Sequence, residues 1–359
     1  MTHDQPHWVG TWTTTPAPAE GAAFSNHTVR MNVRASLGGD RLRVRLSNAY
    51  GSRKLVVGAA RIGLRDTGPA IVPGSDRTLT FGGAETTTIA AGALVVSDPV
   101  SLPLPPLRDL AISVYLPGDF ASAVAMPVGK ITDDWYFVCG VDVLAPPETG
   151  GIVALGDSLT DANFSTIDAF CRWPDQLSRR LQARSRGRPL AVMNQGLGGN
   201  RILHDVRGDS GLRRFDRDVL VQPGVTHAIV MLGTNDLRNR WAKPEEEVTA
   251  EEMIAGLKQL AVRARTRGLK IFGATLTPFE NETFLPGAWT PEREARRQAV
   301  NAWIRAGGAF DAVVDFDEAL RDPDHPTRML PIYDCGDHLH PSDLGYNAMG
   351  DAIDLSLFD

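Results

Sequence analysis

The sequence predicts an antiparallel β-sandwich of jelly-roll type over residues 1–147, followed over residues 148–359 by an α/β domain. The sheet of the second domain is expected to be mostly parallel and covered by helices on both faces, a three-layer arrangement. Three observations predict this. A chain of 359 residues exceeds what one hydrophobic core usually supports. Up to residue 147 apolar residues recur with period two, whereas beyond it short apolar runs alternate with segments of helical spacing. Between the halves, Pro146-Pro147-Glu148-Thr149-Gly150-Gly151 is a turn-rich connector, too short to let them tumble independently.

In the first half, Val29, Met31 and Val33 alternate with Arg30, Asn32 and Arg34, and Leu42, Val44 and Leu46 alternate with Arg41, Arg43 and Arg45. With Gly38-Gly39-Asp40 between them, the two runs read as a hairpin with one wet face. Further strands are expected at 55–65, 77–82, 86–97, 109–116 and 135–143, separated by Gly, Pro and Asp. In the second half, strands are expected at 151–155, 190–193, 227–232, 270–275 and 312–316. Helices are expected at 170–185, 211–219, 249–267, 290–306 and 342–355. The clearest is 249–267, where Met253, Leu257, Leu260 and Ala264 recur at three- and four-residue steps and Gly268 stands ready to end the helix.

Composition narrows the function classes. Hydrophobic content of 43%, 22% charge and a net charge of −6 describe an ordinary globular protein without the electrostatic footprint that phosphate recognition needs. Nucleic acid is therefore excluded as a partner. No apolar run approaches the roughly 20 residues that span a bilayer, and the N-terminus lacks a basic-then-apolar leader pattern. Cys139, Cys171 and Cys335 are an odd count without C-x-x-C spacing, which fits a reducing cytoplasm.

In a doubly covered parallel sheet, ligands gather at the carboxyl ends of the strands, and every chemically suggestive segment here begins where an apolar run stops. Gly156-Asp157-Ser158-Leu159 follows 151–155, Asn194-Gln195-Gly196-Leu197-Gly198-Gly199-Asn200 follows 190–193, and Gly233-Thr234-Asn235-Asp236 follows the third run. Asp337-His338-Leu339-His340-Pro341 lies near the C-terminus. A serine is a poor nucleophile until a histidine takes its proton and a carboxylate orients that histidine. Ser158, His340 and Asp337 can supply these groups, because three-residue spacing turns Asp337 and His340 to one side. His338 is the competing imidazole. Backbone N–H groups at the Ser158 turn and a side-chain amide at Asn235 can donate to a developing oxyanion. The cluster Asp334, Cys335, Asp337, His338, His340 and Asp343 also has the residue types of a zinc or manganese site, although no matching cluster occurs elsewhere.

The four segments, in this order, resemble the blocks of the GDSL/SGNH hydrolase superfamily over residues 151–359. The resemblance places Ser158 as nucleophile, Asp337 and His340 as the rest of the triad, and Ser158, Gly199 and Asn235 in the oxyanion hole. The additional His338 and the preceding β domain depart from the simplest family pattern. That layout, with Thr277-Pro278-Phe279 and Asn301-Ala302-Trp303-Ile304-Arg305, looks like the xylanase-E-like acetyl-esterase branch. It implies a serine esterase acting on short acyl esters, acetylated carbohydrates among them, with no cofactor and no metal. Trp241, Phe284 and Trp289 fall in loop-like stretches after the third and fourth strands and are candidates to wall the substrate pocket.

Overall fold

The computed structural model describes residues 5–18, 24–120, 135–239 and 243–359, and the chain divides into two compact units, Met1–Glu148 and Thr149–Asp359. In the first unit the strands follow in chain order as β1 (His7–Thr13), β2 (Phe24–Arg34), β3 (Gly39–Ser47), β4 (Leu55–Val57), β5 (Ala59–Leu64) and β6 (Arg77–Leu79). They continue as β7 (Thr87–Ile89), β8 (Leu94–Val96), β9 (Val100–Leu104), β10 (Asp109–Phe120) and β11 (Val138–Ala145). One antiparallel sheet has the order β1-β11-β3-β8, with β9 also on β3; a second has the order β2-β10-β5-β6; β4 pairs with β7. The inward positions of β10 (Leu110, Ile112, Val114 and Leu116) are fully buried, as the pleat requires of a strand lining a core.

The hairpin expected from residues 29–46 does not form. β2 pairs with β10 and β3 with β11, in different sheets. Between them, Ser36 N donates to Thr11 O at 2.9 Å, and Leu37 exchanges two hydrogen bonds with the Thr11 hydroxyl. The connection is pinned to β1 and carries the chain from one sheet to the other. Period-two alternation reports which face of a strand is buried, not which strand lies beside it. The runs expected at 55–65 and 86–97 are likewise each divided into two short strands, β4 with β5 and β7 with β8.

The second unit alternates strand and helix: β12 (Gly150–Gly156), α1 (Ser158–Asp161), α2 (Trp173–Ala183), β13 (Leu190–Gly196), α3 (Gly211–Phe215), β14 (Val225–Met231) and α4 (Thr234–Leu237). Then come α5 (Ala250–Thr266), β15 (Lys270–Ala274), α6 (Pro291–Ala306), β16 (Ala312–Val314), α7 (Phe316–Leu320) and α8 (Asp343–Asp351). The sheet is parallel throughout, in the order β13-β12-β14-β15-β16. Alternate residues of β12 serve opposite faces. Val153 and Leu155 join a core with Phe215, Met253, Leu257, Val300 and Ile304, beneath α3, α5 and α6. Ile152 and Ala154 join Trp173, Leu177, Phe316, Tyr346 and Met349, beneath α2, α7 and α8. Burial on both faces explains why these strands read as continuous apolar runs.

Local signals set the helix ends. Thr249 and Glu252 form a reciprocal capping box on α5, and Gly268, at φ 71°, takes the left-handed turn just after it. Thr290 caps α6, with Pro291 at its first position. The strand order reverses between β12 and β14: the chain steps outward from β12 to β13 and then returns to the other side. In open α/β sheets ligands bind outside the carboxyl ends of the strands at such a switch point, here the ends of β12 and β14.

Candidate active site

Ser158 lies one residue beyond the end of β12, after the capping Asp157, and opens α1. Two close packings hold the turn in place. A Cβ on Gly156 would lie 2.7 Å from Met231 O, and one on Gly196 would lie 2.2 Å from Asp161 N. The α1 turn therefore sits against the ends of β13 and β14 with no room for side chains at these positions. Asp157 caps the turn, its carboxylate accepting from Leu159 N at 3.0 Å. Ser158 is only 6% exposed.

His340 reaches this serine from a loop 182 residues further along, with Nε2 2.9 Å from Ser158 Oγ. Its Nδ1 is 2.6 Å from Asp337 Oδ2. The other oxygen, Asp337 Oδ1, accepts from the backbone N–H groups of Leu339 and His340 at 2.9 and 2.7 Å. Burial opposes ionisation of Asp337, but the His340 imidazole and these N–H groups outweigh it and hold the carboxyl well below the usual carboxylate range. His340 is 1% exposed. His338, in a left-handed conformation at φ 61°, instead puts its Nδ1 2.5 Å from Asp334 Oδ2 and stands half-exposed. The two imidazoles thus face different carboxylates.

Asn235 lies in α4, just past β14. Its Nδ2 donates to Asp157 Oδ2 and to Asn200 O, each at 3.2 Å, and its Oδ1 accepts from Arg238 at 3.1 Å. These bonds join the loop ends after β12, β13 and β14. Gly199, buried and at φ 77°, immediately precedes Asn200. Burial raises the Asp157 carboxyl to about 7, against the Leu159 N–H and the Arg238 charge, which favour the anion. Burial likewise raises Asp236 to about 6.

Two buried arginines beneath this site were not singled out from the sequence. Arg214, on α3, donates to Gly156 O at 2.7 Å, Gln195 O at 2.8 Å and Asn200 Oδ1 at 2.9 Å, and pairs with Asp218. It ties together the exits of β12 and β13. Arg238 donates twice to Glu282 Oε1, while Glu282 Oε2 accepts from Leu285 N. The only sequence signal for either was an arginine on an otherwise apolar helical face or next to the Asn-Asp turn.

Of the three pocket candidates, Phe284 lies beside the site, its ring 6.1 Å from that of His340. Trp289 packs against the apolar core beneath α5 and α6. Trp241 lies outside the described residues. Of the acidic-histidine cluster, Asp334, Cys335 and Asp337 have ligand atoms within 4.8 Å of one another. Both carboxylates are engaged by the two histidines, and burial lifts the Cys335 thiol to about 11, leaving it protonated at neutral pH. That donor set fits an imidazole-orienting segment better than a metal cage.

The family match places the chain in the class of carboxylic ester hydrolases. More closely, the chain belongs to the GDSL-like lipase/acylhydrolase family, whose model matches residues 154–348, just over half of its length. Comparison with curated proteins finds none that matches. Among solved structures it is similar to a GDSL-like lipase from Bacteroides thetaiotaomicron, at 17% identity over 58% of this chain and 87% of that one, with a TM-score of 0.44. A carbohydrate acetylesterase from Sinorhizobium meliloti matches at 17% identity over 56% and 95%, with a TM-score of 0.42. An acetylxylan esterase from Geobacillus stearothermophilus matches at 21% identity over 56% and 91%, with a TM-score of 0.43. No helix among the described residues is long and apolar enough to cross a membrane.

Proposed function

We propose that the protein is a serine esterase that cleaves esters with short acyl chains, acetyl esters first among them. The observation that carries this is the continuous line Ser158 Oγ, His340 Nε2, His340 Nδ1, Asp337 Oδ2, with spacings of 2.9 and 2.6 Å at its two hydrogen-bonded steps. His340 takes the Ser158 proton as Oγ attacks the ester carbonyl. Asp337 keeps the proton on Nδ1 before the attack and stabilises the imidazolium afterwards. The tetrahedral oxyanion is held by the backbone N–H groups of Ser158 and Gly199 and by the Asn235 amide, which exchanges one of its 3.2 Å partners for the substrate oxygen. His340 then protonates the leaving alcohol, and water deacylates Ser158 through the same base. The near-complete burial of Ser158, Asn200 and Asn235 supports a small acyl group. All these groups lie between residues 156 and 340, so hydrolysis is assigned to residues 148–359, with the β domain of residues 1–147 as an accessory.

The test is hydrolysis of p-nitrophenyl esters from acetyl to dodecanoyl by the wild type and Ser158→Ala, each with and without EDTA. Turnover is expected to peak at acetyl or butyryl, ignore EDTA and vanish in Ser158→Ala. Activity that survives the substitution overturns the serine mechanism, and activity lost to EDTA moves the acidic-histidine segment to the centre of the chemistry.

A further inference from the structure

We infer that Phe164 and Phe284 form the subsite for the leaving alcohol, and that this alcohol carries an aromatic or extended apolar face. The inference rests on the serine-esterase reading above. Phe164 is 57% exposed and Phe284 44% exposed, yet the two rings meet edge-on at 6.2 Å, and Phe164 lies 5.1 Å from the His340 ring. Ile167, three residues further along the same segment, is 71% exposed.

These rings are not loose ends of mobile loops. Phe164 sits at φ 66°, a backbone region that a bulky side chain rarely occupies. Its segment is fastened on both sides. Ala162 N and Asn163 N donate to Ser158 O at 2.8 and 3.0 Å, Tyr346 Oη donates to Asn163 O at 2.9 Å, and Thr166 N donates to Asp343 Oδ1 at 2.9 Å. The Phe284 loop is fastened just as firmly: Thr283 N donates to Asp337 O at 3.0 Å, and Leu285 N donates to Glu282, itself bound to Arg238. A strained backbone that leaves an aromatic residue more than half exposed gains little from burial, which is the pattern expected where the ring awaits a ligand.

The chemistry decides which half of the ester meets them. His340 must deliver its proton to the alcohol oxygen as the tetrahedral intermediate collapses, so the leaving group lies against the imidazole edge. The oxyanion points instead to the loops after β13 and β14. Rings beside His340 therefore flank the alcohol rather than the carbonyl oxygen, and two phenylalanines without a polar tip offer it an apolar, stacking surface and no hydrogen bond.

The test compares 2-naphthyl acetate, methyl acetate and 2-naphthyl butyrate for the wild type, Phe164→Ala, Phe284→Ala and Phe164→Trp, with Ser158→Ala as control. Each alanine variant is expected to lower kcat/KM for both naphthyl esters about tenfold, mainly through KM, as loss of a stacking ring does. Methyl acetate, which barely reaches the rings, should lose clearly less than the naphthyl esters, and Phe164→Trp should restore naphthyl turnover. Equal losses on methyl and naphthyl acetate, or losses that follow the acyl chain, overturn the subsite while leaving the serine mechanism standing. Activity retained by Ser158→Ala instead overturns the mechanism itself. Thermal unfolding of both alanine variants within a few degrees of the wild type separates a substrate effect from misfolding.

Discussion

Asn235 Nδ2 lies 3.2 Å from Asp157 Oδ2, with both residues buried, so the amide proposed for the oxyanion hole is oriented by the residue next to the nucleophile. Preorganised donors of this kind act in a dry site and need no rearrangement at the moment of reaction. Asn235→Ala should lower kcat by on the order of a hundredfold or more, with KM little changed. Steady-state kinetics on p-nitrophenyl acetate checks this, and a loss below about threefold would remove Asn235 from the site.

Asp157 carries a pH signature. Burial raises its carboxyl from the ordinary range to about 7, so the folded state holds its proton where the unfolded chain has released it. The stabilising contribution is complete below about pH 4 and is lost as pH rises through about 7. Asp157→Asn keeps an acceptor for Leu159 N but cannot ionise. Its urea midpoint, relative to wild type, should therefore climb between pH 4 and 8; parallel curves over that range would contradict the assignment.

Asp337 works in the opposite direction. Its carboxyl is held well below the usual range, so it contributes stability above about pH 4 that fades only in strong acid. Asp337→Asn should unfold more readily than wild type at pH 7, with the gap closing as the pH approaches its folded value. It should also lose about 10³–10⁴ in kcat, because the amide favours the wrong imidazole tautomer. Both are measured on one preparation, and a variant with near-wild-type turnover would leave Asp337 a purely structural role.

Arg214 is the fourth test. Its guanidinium reaches acceptors at Gly156, Gln195 and Asn200 as well as Asp218. A lysine has a single compact ammonium and cannot span that set. Arg214→Lys should cost about 3 kcal/mol or more in unfolding free energy, through carbonyls left unsatisfied in the core. Chemical denaturation measures it; a change under about 1 kcal/mol would show that the surrounding groups find other partners.

Much of this fold is legible in the residues because its signals are local. Strands β12 to β16 are buried on both faces and announce themselves as apolar runs, and α5 and α6 carry caps and periodicity that need no tertiary context. The strands of the first unit were visible, but their pairing was not: β2 and β3 look like neighbours until Thr11 captures Ser36 and Leu37. The short helices α1, α4 and α7, four or five residues each, are below the length at which periodicity can be read.

The site divides along the same line. Sequence alone determined which residue types stand at each strand exit, since glycines and a serine or asparagine directly after an apolar run leave few other readings. Tertiary structure decided which of them meet. The reversal of strand order between β12 and β14 sets Asp157, next to Ser158, against Asn235. The loop after α7 gives His340, and not His338, to Ser158. The strained turn at Ala162 to Phe164 and the Arg238–Glu282 pair bring aromatic rings to the imidazole. These relationships join residues 44 to 182 positions apart in the chain through buried hydrogen bonds and ring contacts, and no local pattern of side chains encodes a partner so distant.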